Sequence, residues 1–143
     1  LATGTFVSVG PLRAKIIAAG APYIQDVVLT GINLKEVGAM VFPTQVVRAL
    51  SGLDASVPMA DVLSSAPVIA QFQKVINDLA DHATGSASRI ARMCLLAEPP
   101  TIDRSEVTDK GSINQRAVLT HRAETVAALH DDTLHSIIKP QSL

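Results

Sequence analysis

Lys110, Gly111 and Ser112 stand side by side in the stretch 106–119, EVTDKGSINQRAVL, and Gln115 follows Ser112 by three positions. Ser-x-x-Gln is a capping-box spacing, in which the hydroxyl accepts from an early helical N–H and the amide reaches back to the cap. On that pattern Ser112 is the N-cap of the last helix. The first N–H groups of a helix have no internal partner and carry partial positive charge. Gly111 lets the backbone approach a ligand closely, and Lys110 adds a mobile cation just ahead of the helix. Such a set suits a phosphate or a carboxylate. Taken locally, the same residues also make an ordinary solvated turn, because a lysine and a glycine before a helix are a common pattern.

Other residues with chemical potential give weaker patterns. Cys94, the one cysteine, lies in the apolar run RMCLLA, where a buried, inert thiol is expected rather than a nucleophile. One cysteine cannot form a disulfide within the chain, which fits a reducing cytosol. His130 and His135 are five apart, with Asp131 and Asp132 between them. That spacing does not put both imidazoles on one helical face, so no metal site is expected. Arg13, Lys15, Arg89, Arg92, Arg116 and Arg122 are cations that a phosphate-bearing ligand would meet, or solvated surface charges.

The chain has 143 residues, enough for one domain with a real core, and 48% of them are hydrophobic, mainly small aliphatics. Such a core suits helices packed closely on a sheet. The formal net charge of −1 is scattered. There is no basic stripe to neutralise a phosphate backbone, which argues against nucleic-acid binding. No apolar run approaches the roughly 20 residues of a membrane span, and no signal-peptide pattern opens the chain. The first residue is Leu rather than Met, which leads us to expect a piece of a larger protein.

The elements that must position the 110–112 turn can be read in order. TFVSV (5–9) predicts a strand. GPLRAKIIAAG (10–20) predicts a helix with Pro11 at its start, Gly20 at its end and Leu12, Ile16 and Ile17 inward. The apolar runs 23–31 and 37–43, joined by the short link INLKE, predict an antiparallel hairpin. Thr44 is expected to cap a helix ending near Gly52. Residues 51–64 read as irregular. Residues 65–85 predict the clearest helix, with Ser65 as cap and Val68, Ile69, Phe72, Val75, Ile76, Leu79 and Ala83 as its inner stripe. Residues 89–100 predict a strand stopped by Pro99 and Pro100, and a last helix is expected from about Ile113 to His130. The order β-α-β-β-α-α-β-α implies an α+β domain: a small, mainly antiparallel sheet with helices packed on it.

Several stretches carry a family resemblance. The opening LATGTFVSVGPLR resembles the segment after the hinge of adenylate-forming acyl-CoA synthetases (the AMP-binding superfamily), whose pattern is K-x-x-G-x-x-[VI]-x-P-x-E-[IV]-E. Gly4 falls on the glycine and Val7 on the aliphatic position. Val9 stands at the proline, and Pro11 and Arg13 stand at the two glutamates. With VFP at 41–43, LLAEPPTID at 95–103 and EVTDKGSINQRAVL at 106–119, the chain resembles the feruloyl-CoA synthetase branch over nearly its whole length.

The resemblance implies the small C-terminal lid domain alone, at 1–143, with the hinge and a large N-terminal ATP-binding domain before Leu1. It implies a two-step reaction in which ATP and an aromatic carboxylic acid give an acyl-adenylate, and the CoA thiol then displaces AMP after the lid has rotated. Magnesium would travel with ATP in the large domain, so the lid would hold no metal. Gly4 would line the CoA channel. A lid lysine would meet the carboxylate and phosphate oxygens. The family motif ends Ser-Gly-Lys, and alignment on Gly111 puts Ser112 in the lysine slot. Lys110 lies two residues earlier, with a stem long enough to reach the same phosphate, and Ser112 is the alternative donor. Two further readings stay open: a stand-alone binding or interaction module without catalysis, and a relative that hands its adenylate to a carrier-protein thiol. The choice of acid is not encoded here, because the acid pocket would lie in the other domain.

Overall fold

The computed structural model describes residues 9–31, 37–81, 90–111, 113–134 and 137–140. Gly4, Arg89, Ser112 and His135 lie outside them, as do residues 5–8 of the expected first strand, the hairpin link 32–36, and Ala83 and Gly85.

Helix α1 spans Val9–Ala19. It starts one residue before the expected helix, so Val9 opens a helix instead of closing a strand. Pro11, in its first turn, fixes a helical φ there. Strands β1 (Ile24–Thr30) and β2 (Val37–Pro43) pair antiparallel, Val27 opposite Val41 and Leu29 opposite Ala39. Helices α2 (Val47–Ser51), α3 (Met59–Leu63) and α4 (Ala66–Asp81) then lead to β3 (Ile90–Leu95). With three helices between them, β3 returns parallel to β2 and completes a three-stranded sheet in the order β1-β2-β3. Helices α5 (Gln115–His121) and α6 (Ala123–His130) follow. The fold is α+β, a small sheet with helices on it.

Side chains alternate between the two faces of a strand, and here both faces are covered. Val27, Leu29, Ala39, Val41 and Met93 join Leu12 and Ile16 of α1 and Val68, Phe72, Val75, Ile76 and Leu79 of α4 in the larger core. Val28, Met40, Phe42 and Cys94 face the other way, toward Val118 of α5 and Leu129 of α6. The central strand β2 is accordingly buried from Val37 through Phe42. Gly38 is needed where β1, β3 and α6 converge. A Cβ there would lie 2.4 Å from Thr30 Oγ1, 3.1 Å from Leu129 Cδ2 and 3.2 Å from Arg92 Cγ.

Several local expectations change. Thr44 caps nothing: its hydroxyl donates to Pro22 O at 2.8 Å, tying the end of β2 to the turn before β1. The N-cap residue of α2 is Val46, without a side-chain cap. Ser65 likewise turns its hydroxyl back to Val62 O at 2.6 Å, while its carbonyl accepts from Ile69 N. Within 51–64, the expected irregular segment, α3 forms behind Pro58, whose extended ψ of 146° starts the helix.

The last helix is two helices. At Arg122 the backbone leaves helical values, with φ −108° and ψ 32°. Nor does Ser112 cap it: α5 begins at Gln115, and its N-cap is Asn114, whose side chain accepts from Ala117 N at 3.2 Å. Gln115 is then not available to complete a capping box. Its Oε1 accepts from Leu29 N at 3.1 Å, joining the start of α5 to the edge of β1.

Candidate functional site

The stretch that carries Lys110 is a small hairpin-like loop. Glu106 O accepts from Asn114 N at 2.8 Å, and Val107 and Ile113 form an antiparallel bridge. Beyond that bridge a β-turn closes the tip, with Gly111 N donating to Thr108 O at 2.9 Å. Gly111 has φ +86°, a value that favours glycine, and open space lies where a Cβ would be. Thr108, Asp109, Lys110 and Gly111 are all exposed. Lys110 therefore rides at the tip, with its ammonium group open to solvent.

The base of the loop is the opposite in character. Glu106 is fully buried. Its Oε2 accepts from Arg122 Nε at 2.8 Å and lies 2.9 Å from His121 Nδ1. Its Oε1 accepts from Thr101 N at 3.1 Å and Arg122 Nη2 at 3.2 Å. Arg122 Nη2 also donates to Pro99 O at 3.1 Å, and the guanidinium lies 5.1 Å above the ring of Phe42 on β2. Burial alone would raise the pKa of Glu106. The hydrogen bonds from Arg122, His121 and Thr101, with the charge of Arg122, outweigh it and hold the carboxyl at about 2. Glu106 is thus a buried carboxylate with both oxygens satisfied, and it joins the loop base, the α5–α6 junction and the central strand.

The far end of α6 is fixed in a related way. Arg92 on β3 is buried, and its Nη1 donates to Leu129 O and to Asp132 Oδ1, both at 2.8 Å. A cation at the C-terminal end of a helix meets carbonyls that lack internal partners. Thr30 Oγ1 and His130 Nε2 are 2.7 Å apart, so His130 is engaged with β1.

Of the cations singled out in the sequence, Arg92 and Arg122 are hydrogen-bonded within the fold. They are tied inside the fold, because each answers a buried polar group. Arg13 is also engaged, donating to Val27 O at 2.8 Å and pairing with Asp26. Arg116 is exposed and, with Arg104, Asn114 and His121, lines an open hollow of about 630 Å³ beside the loop.

Cys94 is buried, and desolvation pushes its thiol up to about 12, so it is no thiolate at neutral pH. Among the described residues no cluster of His, Cys, Asp or Glu suits a metal ion, and no helix is long and apolar enough to cross a membrane.

The sequence pattern places Lys110 on a loop before the last helix, as the structure does, and gives Glu106 and Asn114 no role. Asn114 is of a strong capping type and stands two residues after Ser112, which the capping-box spacing favours. For Glu106 no local signal exists, since its partners lie 5, 15 and 16 positions away.

Solved structures of known proteins share this architecture. The A-PCP didomain of carboxylic acid reductase from Segniliparus rugosus, in complex with AMP, matches with a TM-score of 0.61 and 21% identity, over 92% of this chain and 17% of that one. The A domain of the same reductase, in complex with AMP and a co-purified carboxylic acid, matches with a TM-score of 0.61 and 21% identity, over 94% of this chain and 20% of that one. The adenylation domain of the carboxylate reductase from Mycobacterium chelonae gives 0.65 and 20% identity, over 92% and 19%. At these identities the likeness is one of fold, and the chain spans about a fifth of the structures it matches. No curated protein matches the sequence. The model for the AMP-binding enzyme C-terminal domain matches residues 1–133, and with that match over nearly the whole sequence the chain belongs to this family.

Proposed function

We propose that the chain is the mobile C-terminal domain of an ATP-dependent acid–CoA ligase of the feruloyl or aryl-acid type, and that Lys110 serves acyl-adenylate formation. In this reading a larger N-terminal domain binds ATP with its magnesium and the aromatic carboxylic acid, and this chain alone is inactive. The first half-reaction joins the carboxylate to the adenylyl phosphate and releases pyrophosphate. Lys110 would place fixed positive charge against the carboxylate and phosphate oxygens as the bond forms. In the second half-reaction the lid has turned, the CoA thiol takes the acyl group and AMP leaves. Gly4 is assigned to the CoA channel in that step, and Gly111 and Ser112 to the backbone that approaches the nucleotide.

The observation that carries this reading is the contrast within one loop: Lys110 is exposed at the tip of a hairpin whose root is fully buried and hydrogen-bonded. A long, exposed cation on a fixed mount fits a polyanion presented by another domain. The residues here fit a share in ATP binding through that one charge.

Lys110→Ala in the full-length protein tests it. Adenylate formation should slow by more than about a hundredfold, the scale of losing one preorganised charge donor, while thioester formation from supplied adenylate should survive. Equal loss in both half-reactions, or in neither, overturns the assignment. One matched structure is an A-PCP didomain, which keeps a second reading in view: the same first step with a carrier-protein thiol as acceptor. Supplying adenylate with CoA alone separates the two, because only a CoA ligase releases the thioester.

A further inference from the structure

A buried carboxylate next to an exposed lysine loop asks for an explanation. Replacing a buried ion pair with apolar side chains is often neutral or stabilising, so such a pair is weak grounds for a stability role. What distinguishes Glu106 is where its bonds go. Its carboxylate holds Thr101, where the chain enters the loop region, and His121 and Arg122, at the junction of α5 and α6. Its carbonyl holds Asn114, the residue through which the loop returns to α5. The bidentate fork of Arg122 fixes orientation as well as distance, and the same guanidinium rests on Phe42 in the central strand. The entry to the 106–114 loop, through the carboxylate, and its return strand, through the backbone carbonyl, are therefore both referenced to Glu106. Lys110 sits four residues from it, beyond a single bridge at Val107 and Ile113.

Resting on the reading of Lys110 given above, we infer that Glu106, acting with Arg122, is a positioning residue for Lys110. It touches neither substrate nor nucleotide. It sets the height and direction of the hairpin, so that the tip turn delivers the ammonium group to one place when the domain closes. A misplacement of about 1 Å at a reacting centre costs up to a hundredfold in rate.

The test is a double-mutant cycle in the full-length enzyme with Glu106→Gln, Lys110→Ala and the combination. Pyrophosphate exchange reads adenylate formation, and thioester release from supplied adenylate reads the second step. Glu106→Gln should lower kcat for adenylate formation by about tenfold and leave KM for ATP within about twofold. The second step should be nearly unchanged. In the Lys110→Ala background the same substitution should cost less than about twofold, because residues that act through one another are not additive.

A penalty of equal size in both backgrounds, or equal loss of both half-reactions, overturns the inference and makes Glu106 a residue of the general fold. If Lys110→Ala is costly and Glu106→Gln is not, the inference fails while the reading of Lys110 stands. If Lys110→Ala is itself without effect, that reading fails on an arm in which Glu106 is untouched, and the inference falls with it. Should Glu106→Gln not accumulate as folded protein, Arg122→Lys goes through the same cycle. It keeps the charge and loses the fork, and a penalty of about threefold in the Lys110 background alone is expected.

Discussion

On one face of the sheet, α1 and α4 bring Leu12, Ile16, Val68, Phe72 and Ile76 against Val27, Leu29 and Val41, and among the described residues the two fully or nearly fully buried charged side chains, Arg92 and Glu106, are bonded on the other side, to α5 and α6. On the other face, α5 and α6 contribute far fewer apolar residues, chiefly Val118 and Leu129 over Val28, Met40 and Phe42. What the second face lacks in apolar area it replaces with buried charge. Glu106 and Arg122 fix the α5–α6 junction, and Arg92 fixes the end of α6. The hydrophobic effect is strong but non-directional. Hydrogen bonds to charged groups are directional, and bidentate ones specify orientation. The first face therefore suits stability, and the second suits holding a loop at a defined angle. Lys110 belongs to the second.

The strongest way to break this contrast is at Phe72, which is fully buried in the larger core. Phe72→Ala should destabilise the chain by about 3–5 kcal/mol, the range for deleting a buried aromatic ring, read as a shift in the denaturant midpoint. On the proposed function, the ratio of the two half-reactions of the full-length protein, under folding conditions, should stay as in wild type. A selective loss of adenylate formation would show that the two faces are not separate in role.

A smaller effect is expected at acid pH. Glu106 titrates at about 2 in the folded chain, below its ordinary 4.5. Below pH 4.5 the unfolded chain takes up a proton that the folded chain refuses. The contribution of Glu106 is thus fully present above about pH 4.5 and is lost as pH falls toward 2, with a total on the order of 3 kcal/mol. Glu106→Gln removes this dependence, so the stability gap between wild type and variant should narrow as pH drops through that window. A gap that stays constant from pH 6 to pH 2 would mean the carboxylate is not held by its charge.

The same contrast explains what could be read from sequence. The stripe Val68-Phe72-Val75-Ile76-Leu79 is legible because a helical period of 3.6 marks one buried face, and β1 and β2 are legible because the short link leaves only an antiparallel pairing. The charged face writes no period. Glu106 and Arg122 are 16 residues apart in chain and meet only in space, and either alone reads as a solvated ion. Capping signals failed for a related reason. Thr44 and Ser65 are good caps by type, but the Thr44 hydroxyl goes to a tertiary partner, Pro22 O, and the Ser65 hydroxyl goes three residues back to Val62 O.

The smallest effect sharpens the comparison within the Lys110 loop itself. Two residues compete by type for the start of α5. The capping-box pattern assigns the role to Ser112, with Gln115 as its partner, whereas the observed cap is Asn114, with Gln115 turned to Leu29 on β1. The two assignments make opposite predictions. If Asn114 is the cap, Asn114→Ala costs about 1 kcal/mol, and Gln115→Ala loosens the contact between α5 and the edge of β1. If Ser112 is the cap, the cost moves to Ser112→Ala. Because Asn114 N also closes the hairpin onto Glu106 O, losing its side-chain cap acts at the end of the loop opposite to the Glu106 carboxylate. Asn114→Asp, which keeps the acceptor and adds negative charge at a helix start, should restore most of the loss. Equilibrium unfolding of the three alanine variants beside Asn114→Asp decides between the assignments. A cost at Ser112 with none at Asn114 would return the helix start to the place that the sequence pattern favours.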